Sequence, residues 1–203
     1  MSDRPNTTII TPRCTLSFPH LFVAHKIKDD DKAKFSACLV FTADKDLSEM
    51  KQKIILAGQT KWPGGEFEAM LKEKALKLPF RTDGVVSKGY GEGSTYFNAR
   101  SDNAPGIVMP QAGADGRPIK LTDRNLIYPG CIIRASLTAY GYVNRQKGVT
   151  FGLNNVQWLD NGPRLDNRTA AEDDFDAVEV APADLSDMEM PDLVVEDDLQ
   201  ALL

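Results

Sequence analysis

The stretch from Cys131 to Val143 alternates between two kinds of residue along its length. Its odd positions are apolar and small or medium-sized, whereas its even positions from Arg134 onward carry hydroxyl, aromatic or charged side chains. Because successive side chains of a β-strand point to opposite faces, this pattern predicts a strand with one face in a core and one in solvent. It is the clearest strand of the sequence and favours a mainly β fold.

Several shorter runs show the same signals and are separated by Gly, Pro, Asp or Asn. We expect five to seven strands, most of them antiparallel. A bend or bulge is expected at Pro19 in the first run and at Asn154-Asn155 in the last one. The predicted strands besides 131–143 are Cys14 to His25, Lys34 to Phe41, Thr95 to Ser101, Ile107 to Gln111, and Val149 to Leu159.

Two helices are predicted between the second and third of these strands. Asp46 can cap a helix that runs to about Thr60, and helical spacing restarts over Glu66 to Lys77 before Pro79 ends it. This order predicts an OB-fold-like Greek-key barrel with a central two-helix insertion. A β-sandwich of another topology would give a similar pattern.

The charge of the chain is divided unevenly along the sequence. Of its 29 acidic residues, twelve lie between residues 170 and 203, where there is no Lys or Arg. The rest of the chain therefore has seventeen acidic residues against all 24 basic ones, a charge of +7. We expect a flexible leader over 1–12, one folded domain over 13–168, and a disordered acidic tail over 169–203 that competes for what the basic domain binds.

Several functional classes find no support in the sequence. No apolar run approaches the roughly 18 residues of a membrane helix, and no signal peptide begins the chain, so a cytoplasmic protein is expected. The three cysteines are far apart and are expected to be buried, and the two histidines form no ligand cluster. Without a catalytic motif, a metal site or a cofactor-binding motif, we expect no enzyme activity and no cofactor.

Two predicted strands carry aromatic and basic residues on the face opposite the core. Proteins that bind single-stranded nucleic acid need such a face, because cations follow the phosphates and aromatic rings stack on the bases. The alternative is that the tyrosines merely cover the barrel with their rings. The predicted binding residues on these strands are Tyr96, Asn98, Arg100, Arg134, Tyr140 and Tyr142.

Two loops could close over a bound strand. Lys88 and Tyr90 lie in a segment with glycine at every second position, which predicts a flexible loop, and Arg145 and Lys147 lie at a hairpin tip. At the end of the chain, an acidic run meets an apolar terminus and predicts a docking peptide for partner proteins. The residues of this peptide are Asp197, Asp198, Leu199, Leu202 and Leu203.

Four segments resemble a family of phage-encoded single-stranded-DNA-binding proteins over roughly residues 10–167. The segments are residues 126–131, the strand from Cys131 to Tyr142, residues 147–157 and residues 162–165. The resemblance implies an OB fold with an acidic tail, and sequence-nonspecific DNA binding in the replication, recombination and repair of phage DNA, in the host bacterial cytoplasm. The alternative is a structural or recruitment module whose barrel binds protein, and a nuclease is a third class that no motif supports.

Overall fold

The structure is a computed structural model, and it describes residues 5–26 and 32–165. Strands make up more of the described chain than helices do, and two helices follow the third strand. The elements are β1 (Thr8–Ile10), β2 (Cys14–His25), β3 (Lys34–Phe41), α1 (Ser48–Lys61), α2 (Glu66–Lys72), β4 (Thr95–Ser101), β5 (Gly106–Ala112), β6 (Pro118–Lys120), a 3-10 turn (Arg124–Leu126), β7 (Ile132–Val143) and β8 (Lys147–Asp160).

Five of these strands close into a barrel in the order β7-β2-β3-β4-β8, because β8 also pairs with β7. The neighbours are antiparallel except for β4 and β8, which run parallel where Arg100 lies opposite Gly152. A closed five-stranded Greek-key barrel with one parallel contact is the OB fold. The fold class predicted from the alternating segments is therefore confirmed, with the two-helix insertion between β3 and β4.

The barrel interior is filled by the apolar face of each strand. In β7 the odd positions from Ile133 to Ala139 are buried, as the alternation predicts. Three fully buried phenylalanines, Phe41, Phe97 and Phe151, meet in the core, and the last two have ring centroids 4.9 Å apart. Since adjacent positions point outward, the same strands present a second, solvent-facing surface, here called the outer face.

The first helix forms where the sequence predicts it, whereas the second is shorter than predicted. Asp46 accepts a hydrogen bond from the backbone N–H of Ser48 at 2.9 Å at the start of α1. The prediction of helix up to Lys77 was wrong, because α2 ends at Lys72 and Lys74 has a positive φ of 54°. The backbone of Lys77 then pairs with β8, donating to the carbonyl of Lys147 and accepting from Val149, each at 3.0 Å.

The prediction of a flexible leader over residues 1–12 was also wrong for the part of it that the structure describes. Thr8–Ile10 forms β1 on β7, with Ile9 opposite Leu137, and Ile9 is buried in the core. This strand has only one inward side chain and is flanked by polar residues, so its sequence shows no alternating pattern that would predict a strand.

Two further features border the barrel. The strand β5 runs parallel to β8, and β6 pairs with β5 as an outlying strand. After β8, the chain folds back under the turn before β7, where Leu165 donates to the carbonyl of Pro129 at 2.9 Å. The predicted acidic tail, 169–203, lies outside the described residues. In the described ranges, neither helix combines the length and apolarity needed to cross a membrane.

The turn before β7 requires glycine at position 130, which a substitution can test. Its φ is 118°, and an added Cβ would stand 2.0 Å from the carbonyl oxygen of Pro163. We expect Gly130→Ala to lower the free energy of unfolding by about 3 kcal/mol, through backbone strain and displacement of the 161–165 segment. Urea unfolding measures this change.

Gly116→Ala is the matched control, because Gly116 also has a positive φ but no atom within 4 Å of an added Cβ. Its expected cost is about 1 kcal/mol. Equal costs for the two substitutions would show that the close approach of Pro163 does not contribute to the destabilisation caused by Gly130→Ala.

Candidate nucleic-acid interface

A groove of about 420 Å³ crosses the outer face where β7, β8, β4 and β3 lie side by side, and the extended chain after α2 forms one wall of it. Its lining contains four cations and two tyrosines but no Asp or Glu. The lining residues are Lys34, Lys77, Leu78, Pro79, Arg81, Asn98, Arg100, Tyr140, Tyr142, Asn144, Val149, Thr150 and Phe151.

The groove brings together four of the residues that the sequence predicts for binding. Asn98 and Arg100 come from β4, and Tyr140 and Tyr142 come from β7. They meet because β8 lies between these strands and pairs with both, opposite Arg100 and opposite Tyr140. The shared parity of the two strands thus places their polar faces on one surface.

The two groove tyrosines lie over glycines of β8. Tyr142 is directly opposite Gly148, whose added Cβ would stand 2.7 Å from the tyrosine hydroxyl oxygen. An added Cβ on Gly152 would stand 3.3 Å from the Cε1 ring atom of Tyr140. Because these glycines carry no side chain, each ring can rest on the strand, and Tyr140 remains 45% exposed.

Partial burial raises the pKa of the Tyr140 hydroxyl, and Asp102 raises it further while Arg100 lowers it. The hydroxyl is therefore neutral at physiological pH, and the ring adds no negative charge to the groove. A neutral ring among cations suits a site that attracts a polyanion and stacks on its bases.

The four groove cations differ in their partners. Lys34 is 3.5 Å from Asp102 and Arg81 is 3.2 Å from Asp83, both at exposed positions. Lys77 and Arg100 form no ion pair with any other residue in the described ranges. Their guanidinium and ammonium groups are therefore available to an incoming anion.

Three of these cations were missed as binding residues. Lys34 shares the outer-face parity of β3, a signal that the sequence did offer. Lys77 was predicted to end the second helix, and Arg81 follows no strand or helix pattern. Both reach the groove through the extended segment after α2, whose path depends on backbone pairing with β8 and β4 rather than on periodicity.

The structure contradicts the prediction that Tyr96 and Tyr90 contact a bound strand, because both side chains are buried. Tyr96 lies on the outer face of β4 as predicted, but residues 81–94, here called the cap segment, cover it and leave it 3% exposed. Lys88 donates a hydrogen bond to the Tyr96 hydroxyl at 3.0 Å, and its Nζ stands 4.9 Å from the ring centroid. All three residues therefore hold the cap segment onto the barrel.

Tyr90 is 8% exposed and packs with Tyr96, Cys38, Val40 and Val85 in a second, smaller core. Its hydroxyl donates to the Ser17 hydroxyl at 2.9 Å, and burial raises its pKa to about 12. The segment was expected to be a flexible loop because of its alternating glycines. In the structure Gly89, Gly91 and Gly93 have positive φ values and lie in a series of turns.

The remaining predicted residues lie away from the groove. Arg134 is on the outer face but donates to Gln157, and it precedes Tyr140 by six positions, about 20 Å along a strand. Lys147 points toward α2 and forms an ion pair with Glu66 at 3.3 Å. Arg145 is exposed at the hairpin tip, outside the groove lining. The predicted docking residues Asp197, Asp198, Leu199, Leu202 and Leu203 lie outside the described residues.

All three cysteines are buried, as predicted. Burial raises the pKa of the Cys14 thiol to about 12 and that of Cys131 to about 11, so both thiols stay protonated. Among the described residues, no three His, Cys, Asp or Glu side chains are grouped closely enough to hold a metal ion.

An OB barrel with a basic, aromatic groove on its outer face has the architecture of proteins that bind single-stranded nucleic acid. Residues 7–186 match the family model described as the ssDNA-binding protein of Enterobacter phage Enc34. The chain belongs to this family, which confirms the resemblance found in the sequence. Protein p50 of Acyrthosiphon pisum secondary endosymbiont phage 1 is 26% identical over 82% of this chain and 91% of its own length.

Solved structures of two phage proteins share the fold. The single-stranded DNA-binding protein from bacteriophage Enc34, in complex with ssDNA, matches with a TM-score of 0.61 and 20% identity, over 78% of this chain and 89% of that one. The single-stranded DNA-binding protein gp2.5 of bacteriophage T7 matches with a TM-score of 0.54 and 13% identity, over 88% and 100%.

Tyr96 is buried whereas Tyr140 is half exposed, and this difference can be tested by measuring stability. We expect Tyr96→Ala to lower the free energy of unfolding by about 3 kcal/mol, because it removes a ring from a closed core and releases the cap segment. Tyr140→Ala should cost about 1 kcal/mol or less, since this ring is half exposed. Denaturant unfolding compares the two variants, and equal losses would place Tyr96 on an open surface.

Proposed function

We propose that this protein binds single-stranded DNA, without a fixed sequence, in the groove between the extended chain after α2 and the β7–β8 hairpin. The observation that carries the proposal is the composition of the groove lining, with four cations, two tyrosines and no carboxylate. A sequence-tolerant site requires this combination, because every nucleotide has a phosphate and every base has a π face.

The geometry supports a division of roles within the groove. Tyr140 and Tyr142 lie two positions apart on β7, so their rings follow one another along the outer face. Bases would stack on these rings, while Arg100 and Lys77 contact the phosphates on either side. The phosphate contacts release condensed counterions, which makes the affinity fall as the salt concentration rises.

The comparisons support this reading at the level of the family. The Enc34 protein of the same fold was solved with ssDNA, and gp2.5 is named a single-stranded DNA-binding protein. We infer that this protein covers single strands during replication, recombination and repair of phage DNA in the host bacterial cytoplasm. In this role it needs no catalytic step and no cofactor.

The proposal is tested by titrating a fluorescent oligothymidylate with the full chain at two salt concentrations. We expect the double variant Tyr140→Ala, Tyr142→Ala to weaken binding by about tenfold for each ring lost, with unchanged circular dichroism. The double variant Tyr140→Phe, Tyr142→Phe keeps both rings and should bind nearly as the wild type does.

Two results would contradict the proposed groove. Wild-type affinity in the alanine variant would place the strand on another surface. No measurable binding of ssDNA by the wild type at low salt would instead favour the alternative in which the barrel binds protein.

We further propose that the acidic segment 170–203 competes with DNA for the groove and recruits partner proteins. Its twelve carboxylates are negatively charged, as the phosphates of a nucleic acid are. They belong to the same chain as a folded domain whose formal charge is +7. A tethered competitor acts at an effective concentration on the order of millimolar, so a weak contact is enough. When DNA displaces this segment, Asp197, Asp198, Leu199, Leu202 and Leu203 become available to replication or recombination proteins.

Deletion of residues 170–203 should therefore tighten DNA binding, and most strongly at low salt, where screening is weakest. Oligonucleotide affinities of the full and truncated chains across a salt series measure this effect. Replacing the twelve acids by Asn and Gln at constant length separates charge from length. Equal affinities at low salt would exclude competition by the segment.

A further inference from the structure

The two histidines of the chain form a stacked pair on β2. The ring centroids of His20 and His25 are 4.3 Å apart and the rings are inclined by only 8°. Five residues along a regular strand cover about 16 Å, so the backbone between them must depart from a regular strand. The pairing shows this departure, because the four residues 21–24 of β2 lie opposite the single residue Phe35 of β3.

The pair lies on the same face of the barrel as the groove. His25 is directly opposite Lys34, and His20 is directly opposite Ser36. Directly opposed residues of antiparallel strands share a face, and Lys34 is itself a groove residue. The outer face therefore continues without interruption from the groove to the histidines.

The same registers place the histidine pair in line with a groove cation. Ser36 lies between His20 on one side and Arg100 on the other. Neighbouring strands are about 4.8 Å apart, so His20 is about 10 Å from the row of Arg100. A strand that leaves Tyr140 and passes Arg100 would meet the histidine rings one or two nucleotides later.

We propose that the stacked pair His20–His25 extends the DNA-binding groove onto β2, with a base stacked on the exposed ring of His25 and its phosphate beside Lys34. The proposal rests on single-stranded DNA binding in the groove, and it adds a second stacking platform at the β2 end. His25 is exposed, whereas His20 is half-buried behind it and supports its ring.

The surroundings of the pair give the site a dependence on pH. The groups that face it are Lys34 on β3, Arg100 and Asp102 on β4, and Lys32 before β3. Burial, followed by the neighbouring His25, lowers the pKa of His20 below its ordinary value of 6.5. Lys32 and Lys34 lower the pKa of Asp102, so this carboxylate stays ionised while the histidine titrates.

The sign of the effect follows from the charge of the ligand. Its lowered pKa leaves His20 uncharged at neutral pH, where its ring contributes stacking and no charge. Below pH 6.5 a proton on His20 adds positive charge beside a phosphate, and a bound phosphate in turn favours the proton. DNA affinity should therefore increase as the pH falls below 6.5.

The test uses the full chain and oligothymidylates of about 4 to 16 nucleotides, a range that spans the site sizes of OB folds. The double variant His20→Asn, His25→Asn should bind the longest oligonucleotides about tenfold more weakly at pH 7.5, and the shortest ones within twofold of the wild type. The double variant His20→Phe, His25→Phe keeps the stacking rings, so it should retain most of the long-oligonucleotide affinity but lose the increase below pH 6.5. Arg117→Gln, on the β5–β6 turn away from the groove, is the control and should match the wild type at every length.

Several outcomes would overturn the histidine site. They are an unchanged affinity of the asparagine variant at all lengths, an equal loss at all lengths, or a phenylalanine variant as weak as the asparagine variant. An increase in affinity at low pH that persists in both double variants would show that other groups cause it. Failure of the proposed function itself looks different, because the wild type would then bind no oligonucleotide of any length.

Discussion

The pairing of β8 with both ends of the sheet is the constraint on which the rest of the molecule depends. β8 pairs with β7 along its whole length and touches β4 in parallel at Gly152, so it joins β4 to β7 and closes the barrel. Closure removes the sheet edges between these strands and divides every side chain into inside or outside. The core and the groove are the two products of this division.

The division separates the residues that fill the core from the residues of the same strands that line the groove. In β4, Phe97 and Ala99 are fully buried, whereas Asn98 and Arg100 line the groove. The glycines of β8 serve the outer face, since a side chain at Gly148 or Gly152 would displace a groove tyrosine. Changes at the groove residues would therefore alter the proposed binding at little cost to the core.

The sequence predicted the parts of the fold that depend on local periodicity. The predicted bounds of Lys34–Phe41 and Thr95–Ser101 agree with the structure, because each run is flanked by polar or turn-forming residues. The bulge at Asn154 was predicted because polar residues interrupt the alternation there, and the register confirms it. The core face of β7 was predicted from its alternation, since its odd positions are all apolar.

What the sequence did not predict depends on contacts between segments that local periodicity does not relate. Tyr96 has the parity of a surface residue, and it is buried only because residues 81–94 fold over it through Tyr90 and Lys88. The groove cations Lys77 and Arg81 reach their positions through backbone bridges to Gly148 and Tyr96. No periodic pattern within either segment specifies the residues that it contacts.

The ion pairs around the groove bear on how a polyanion could enter it. Lys34 pairs with Asp102 and Arg81 with Asp83 at exposed positions, where such pairs contribute about 1 kcal/mol or less to stability. These cations stay hydrated, so a phosphate can replace a carboxylate without the large desolvation cost that a buried pair would impose. Each exchange conserves the charge near the cation and releases counterions from the DNA. The free energy of the proposed binding would then come from counterion release and stacking rather than from new buried charge pairs. A site built this way gains little from any particular base, which is the property expected of a protein that must cover single strands of any sequence.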